Sequence, residues 1–150
     1  MSDLLSISIG PRHGMLRAKT PEAWYERGLA LEATAPEQAI TAYRRALVGR
    51  ADLADAHCNL GRLLHDRGEL GLAESHYRLA LACDSEVALY WFNLGVVVED
   101  RGRSDQAIEA YQQALLFDPA LVDAHFNLAR LYEQIGRRAQ DELMLRRAIR

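Results

Sequence analysis

Asn59, Asn93 and Asn127 stand 34 residues apart. A side-chain amide carries both a donor and an acceptor, so it can pair with a peptide backbone whatever side chains that backbone bears. Three amides in register form a candidate ladder for an extended segment. Aromatic residues recur beside them. Tyr25, Phe92 and Phe126 are candidate anchors of the kind that dominate interface energetics. Arg62 and Arg130 lie on the same stripe, outnumbered by carboxylates such as Glu26, Asp55, Asp66, Asp100 and Asp123. That balance favours a neutral or basic partner segment and repels an acidic one.

Other chemistries find little support. No Gly-rich phosphate loop runs into Lys-Ser/Thr, and no nucleophile elbow is present. His65 and Asp66 are adjacent and so diverge around a helix. His57, Cys58, His65 and His76 lack metal-ligand spacing on one helix face. Cys58 and Cys83 fit neither a disulfide framework nor a zinc site and read as reduced thiols. The sequence therefore predicts no catalytic residue, no metal and no cofactor, and the chain is not expected to be an enzyme. A net charge of -3 implies no bulk attraction to nucleic acid.

The amides must be positioned by something periodic, and the whole chain supplies it. Ala56-His57-Cys58-Asn59-Leu60-Gly61 recurs as Tyr90-Trp91-Phe92-Asn93-Leu94-Gly95, and again as Ala124-His125-Phe126-Asn127-Leu128-Ala129. With Ala54 as position 1, position 7 is Leu60, Leu94 and Leu128, and position 11 is Leu64, Val98 and Tyr132. Large residues at i, i+3/i+4 and i+7 give the helical period. Position 15 is Gly68, Gly102 and Gly136, each suited to end a helix in the left-handed conformation. Small residues at position 8 (Gly61, Gly95, Ala129) and position 27 (Ala80, Ala114, Ala148) allow close helix approach. Position 20 has Ala73 and Ala107 but Asp141. The expectation is eight helices in four pairs, with breaks near Ala35, Gly68, Gly102 and Gly136.

These residues resemble the tetratricopeptide (TPR) family, whose unit is a 34-residue helix–turn–helix. The match covers Pro21 to the C-terminus, with units at 21–53, 54–87, 88–121 and 122–150. It is closest in the third, through Trp91, Leu94, Gly95, Val98, Gly102, Ala107, Tyr111, Ala114 and Pro119. The first unit is irregular. Trp24, Gly28 and Leu31 match, but Arg27 replaces leucine and Thr34-Ala35-Pro36 replaces the glycine turn, as suits an end repeat. The resemblance implies an all-α solenoid, a right-handed superhelix of antiparallel helix pairs. It also implies a scaffold or adaptor that binds a peptide or partner protein in its concave groove. The asparagines are expected to face that groove and not the core, with Tyr25, Arg62, Phe92, Phe126 and Arg130 around them. Similar ladders line the TPR groove of O-linked sugar transferases. TPR domains that clamp acidic chaperone tails use groove lysine. Here Tyr25 and Leu29 hold two of the relevant positions and Lys19 is the only lysine, which argues against a clamp.

A second function class is a self-assembling or regulatory module, either a homodimer through an apolar C-terminal edge of Leu143, Met144 and Ile149 or part of a transcription-regulator system. Arg137, Arg138, Arg146, Arg147 and Arg150 make that end basic, which also suits a helix C-terminus. Residues 1–20 read as a flexible lead-in around Gly10, Pro11 and Gly14. Leu4 to Ile9 is too short to span a membrane, and Asp3 argues against a signal peptide. A cytoplasmic location follows. Arginine's excess over lysine points to a GC-rich, bacterial genome.

Overall fold

Seven helices, and no strand among the described residues, make up the fold of the computed structural model: α1 (Pro21–Leu31), α2 (Pro36–Gly49), α3 (Ala54–Asp66), α4 (Leu70–Cys83), α5 (Ala88–Asp100), α6 (Ser104–Phe117) and α7 (Val122–Ala148). The structure describes residues 19–148, and side chains as far as Met144. The expected lead-in at 1–18 and the expected edge residue Ile149 lie outside the described residues. Each helix packs on the one before and the one after it, and α3 also touches α5. The result is an all-α solenoid of helix pairs: α1 with α2, α3 with α4, α5 with α6.

Local chemistry sets the helix ends. Thr20 caps α1 by accepting from the Ala23 amide at 3.2 Å. Pro21 and Pro36 open α1 and α2, where a missing N–H costs nothing. Gly68 and Gly102 adopt φ of +79° and +77°. In each case the next amide reaches back across the turn, Glu69 to the Leu64 carbonyl and Arg103 to the Val98 carbonyl, both at 2.9 Å.

Inside each pair one contact recurs. The rings of Tyr43, Tyr77 and Tyr111, at most 1% exposed, lie against Gly28, Gly61 and Gly95. A Cβ at Gly28 or Gly95 would come within 2.5 Å of the tyrosine ring, and one at Gly61 within 2.9 Å. Alanines fill the space around each ring: Ala39, Ala73 and Ala107 on one side, and Ala46, Ala80 and Ala114 on the other, all at 0% exposure.

A second recurring contact ties α3, α5 and α7 to the loop before each. The Nε2 atoms of His57 and His125 meet the carbonyls of Ala51 and Pro119 at 3.0 and 2.9 Å. Trp91 donates its Nε1–H to the Ser85 carbonyl at 2.8 Å. A ring N–H is what this position needs, and both residue types supply one. His57 donates through Nε2, so its Nδ1 accepts from His76 Nδ1–H at 3.0 Å. Burial, then the neighbouring His57 and Arg44, pushes the His76 imidazole down to about 4.

The expected break at Gly136 does not form. The helix α7 runs through it to Ala148, and Gly136 has no positive φ. The fourth unit is therefore one long helix and not a hairpin, giving seven helices where eight were expected. Three substitutions account for this. Ala129 brings a Cβ to the position of Gly61 and Gly95, Leu145 replaces the tyrosine, and Asp141 would bury a carboxylate where Ala73 and Ala107 sit. Continuing the helix through a glycine costs only about 1 kcal/mol, and the residues that follow, Arg137 to Gln140, are good helix formers. The first half of α7 packs on α6, burying Ala124, Leu128 and Leu131. Every described side chain from Tyr132 to Met144 is exposed.

Two predictions follow from these contacts. Gly95→Leu should destabilise the chain by about 1–3 kcal/mol through overpacking on Tyr111, and Gly68→Ala by about 1–2 kcal/mol through left-handed strain alone. Gly71→Ala, in open space on α4, should be neutral or stabilising by up to about 1 kcal/mol. Urea titration of the three variants checks this, and equal effects at all three sites would refute it. The depressed His76 value means that the folded state binds fewer protons than the unfolded state. Its contribution is therefore complete above about pH 6.5 and is lost as pH falls through the interval down to about 4. Thermal melts from pH 7 to 4.5 should show this acid sensitivity, and it should be reduced in His76→Gln.

Candidate functional site

The asparagine ladder sits on α3, α5 and α7, at one position per unit. All three side chains are half-buried, and each reaches toward the preceding unit. Asn59 Nδ2 meets Tyr25 Oη at 3.5 Å, Asn93 Nδ2 meets Cys58 Sγ at 3.3 Å, and Asn127 Nδ2 donates to Tyr111 Oη at 3.2 Å. The expectation that these amides face only the groove is corrected here. Part of their donor capacity stitches one repeat to the next, because a half-buried amide on a seam is worth more bonded than bare. The carbonyl side of each amide remains an acceptor.

Arg62 and Arg130 belong to the same seams. Tyr43 Oη donates to Glu32 Oε1 at 2.5 Å, and the other oxygen of Glu32 takes Arg62 from the next unit. Two units along, Tyr111 Oη donates to Glu99 Oε2 at 2.9 Å, and Glu99 Oε1 takes Arg130. Burial, with the adjoining carboxylate, holds both phenols well above their ordinary value, so they remain donors. The junction between them is built differently. Val96 replaces the arginine, His65 replaces the glutamate, and His65 Nε2 meets Asp100 Oδ2 at 2.6 Å.

The candidate aromatics divide. Tyr25 leans on Tyr43 with ring centroids 5.8 Å apart, and Phe92 on Tyr111 at 5.7 Å, so both are half-buried packing residues with one free side. Phe126 is 67% exposed and Leu89 53%. Cys58, read from the sequence as a reduced thiol, is buried, and burial pushes its thiol up, away from the reactive thiolate form. The structure therefore joins Tyr25 with Asn59, and Asn127, Tyr111, Glu99 and Arg130 into one network, leaving Phe126 as the open apolar surface beside it.

Two features lay outside the sequence expectations. Glu74 is only 6% exposed, and its carboxylate holds Arg78, Arg101 and Arg103. Burial alone would raise it, but the three guanidiniums outweigh that and keep it below the usual carboxylate range. The arginines beside Gly102 were the available signal. A cleft of about 720 Å³ also opens between α4 and α6, lined by Arg78, Trp91, Gln106, Glu109 and Gln113 and by none of the ladder residues. Among the described residues, no cluster of three His, Cys, Asp or Glu side chains could hold a metal, and no helix is long and apolar enough to cross a membrane.

Comparisons with known proteins agree with this geometry. Family models described as "Tetratricopeptide repeat" and "TPR repeat" match residues 30–88 and 99–136. A search of curated proteins gives no match. The crystal structure of MamA is similar at 25% identity and a TM-score of 0.74, over 77% of this chain and 68% of that one. The first TPR of Spaghetti (RPAP3) bound to the HSP90 peptide SRMEEVD is similar at 16% identity and 0.75, over 78% and 94%. The Arabidopsis OM64 TPR domain is similar at 21% identity and 0.73, over 77% and 96%. The repeating tyrosine-on-glycine hairpins, the matched stretches and these neighbours together show tetratricopeptide repeats, over residues 30–88 and 99–136, within an all-α solenoid of helix pairs.

Proposed function

We propose that this chain is a non-enzymatic, cytoplasmic interaction scaffold whose groove holds a neutral or basic segment of a partner protein. The observation that carries this reading is the register of Asn59, Asn93 and Asn127, one per repeat, each with a carbonyl free to accept, beside the exposed ring of Phe126. Backbone pairing along the amides gives affinity without reading sequence, and the aromatic and acidic side chains give selection. The RPAP3 neighbour binds an acidic peptide. Acidic side chains on this groove, Asp55, Asp66, Asp100 and Asp123 among them, and the absence of a groove lysine favour the opposite charge here. A second reading, self-association through the C-terminal edge, is favoured by Leu143 and Met144. They are 50% and 61% exposed on the part of α7 that extends beyond the last helix pair.

Selection of random displayed peptides against the full chain tests the first reading. Neutral or basic sequences should be enriched. Phe126→Ala should weaken a selected peptide by about tenfold or more, the size of an interface anchor, without changing the melting temperature, since the ring is mostly in water. The triple alanine variant of Asn59, Asn93 and Asn127 should lose about tenfold to a thousandfold in affinity. It should also lose stability, by about 0.5–1.5 kcal/mol per seam bond. Enrichment of acidic peptides, or binding indifferent to both variants, would remove the groove from the function.

A further inference from the structure

In the second and third units, the face of the first helix that carries positions 4, 8 and 11 is covered by the second helix. His57, Gly61 and Leu64 are buried there, as are Gly95 and Val98 beside the half-buried Trp91. In the fourth unit the same face is open. His125 and Ala129 are exposed, and Tyr132 is 50% exposed. The residues that would have covered it form the far half of the straight α7, so the chain cannot fold them back onto their own seat.

We infer that two copies of this chain pair through α7, antiparallel about a two-fold axis at Gly136, so that each projecting half covers the vacant seat of the other. This rests on the self-association reading above and specifies its geometry.

Three observations favour a second copy over another occupant. First, Ala129, Tyr132, Gly136, Ala139 and Leu143, all exposed, fall on one helix face at spacings of three and four. The stripe crosses from the seat into the projection without a break. An antiparallel copy matches such a stripe end to end, and Leu143 and Ala129 lie equally far from Gly136, so large meets small. A single capping helix would leave the projecting half bare. Second, a Cβ at Gly136 would meet nothing within 4 Å, so the backbone is open to close approach at the axis. Third, charge is complementary. Residues 137–150 hold five arginines and two acids, whereas residues 19–136 hold eleven basic and eighteen acidic residues. Antiparallel pairing lays the basic half of each α7 along the acidic body of its partner. A solitary helical projection of this length is marginal in water, and a partner helix stabilises it.

Sedimentation of the full chain over a range of concentrations tests this, with circular dichroism confirming that each variant is folded. A monomer–dimer equilibrium is expected, weakened by salt. Leu143→Glu should raise its dissociation constant by about a hundredfold or more. In a Cys83→Ser background, which keeps the buried Cys58, Gly136→Cys should oxidise to a linked dimer. Ala129→Cys with Leu143→Cys should also link, and Leu143→Cys alone should not. A monomer at every concentration would overturn both the pairing and the self-association reading beneath it. A dimer that ignores Leu143→Glu would place the contact elsewhere. A dimer sensitive to Leu143→Glu but linked through Leu143→Cys, and not through Gly136→Cys, would keep self-association and overturn the antiparallel arrangement.

Discussion

A tyrosine ring resting on a glycine backbone is the contact on which the solenoid depends. Tyr43 on Gly28, Tyr77 on Gly61 and Tyr111 on Gly95 set how closely the two helices of each hairpin approach. That spacing lets the surrounding alanines bury completely. It also aims two of the phenol oxygens at Glu32 and Glu99 of their own repeats, and each of these carboxylates takes an arginine from the next. One interaction thus closes the hairpin and begins the junction. The fourth unit tests the rule by omission. Without the glycine and the tyrosine, its two helices stay one.

Most of the fold was legible because it is periodic. Helical spacing separated α1 to α6, with breaks where Ala35, Gly68 and Gly102 were expected, and the glycines at 68 and 102 marked real left-handed turns. Gly136 misled because glycine permits a turn without requiring one. The requirement lies in the partner residues, and Asp141 and Leu145 were visible departures at the positions that matter. The site was less legible. Spacing placed Asn59, Asn93 and Asn127 in line, but it could not tell that their amides bridge to Tyr25, Cys58 and Tyr111 across a seam. Periodicity within a helix says which face a side chain occupies, not which element lies within hydrogen-bond reach of it.

On the proposed reading the groove and the seams share residues, so recognition and cohesion are linked. Arg62 and Arg130 are held by Glu32 and Glu99, which leaves the unneutralised carboxylates to set the field that a partner meets. On that reading, a ligand carbonyl approaching Asn127 would meet the second N–H of an amide whose first is given to Tyr111.

The junctions are unequal. The first and third each carry a tyrosine, a glutamate and an arginine in series, whereas the middle one sets Tyr90 on Asp55, Asn93 on Cys58 and His65 on Asp100, and shares Glu74 between Arg101 and Arg103. As a mechanical object the array has its most heavily bonded coupling in the middle, with lighter ones on either side. Under bending load, the curvature changes first at the outer junctions, while the middle of the array and the spacing within each hairpin stay fixed.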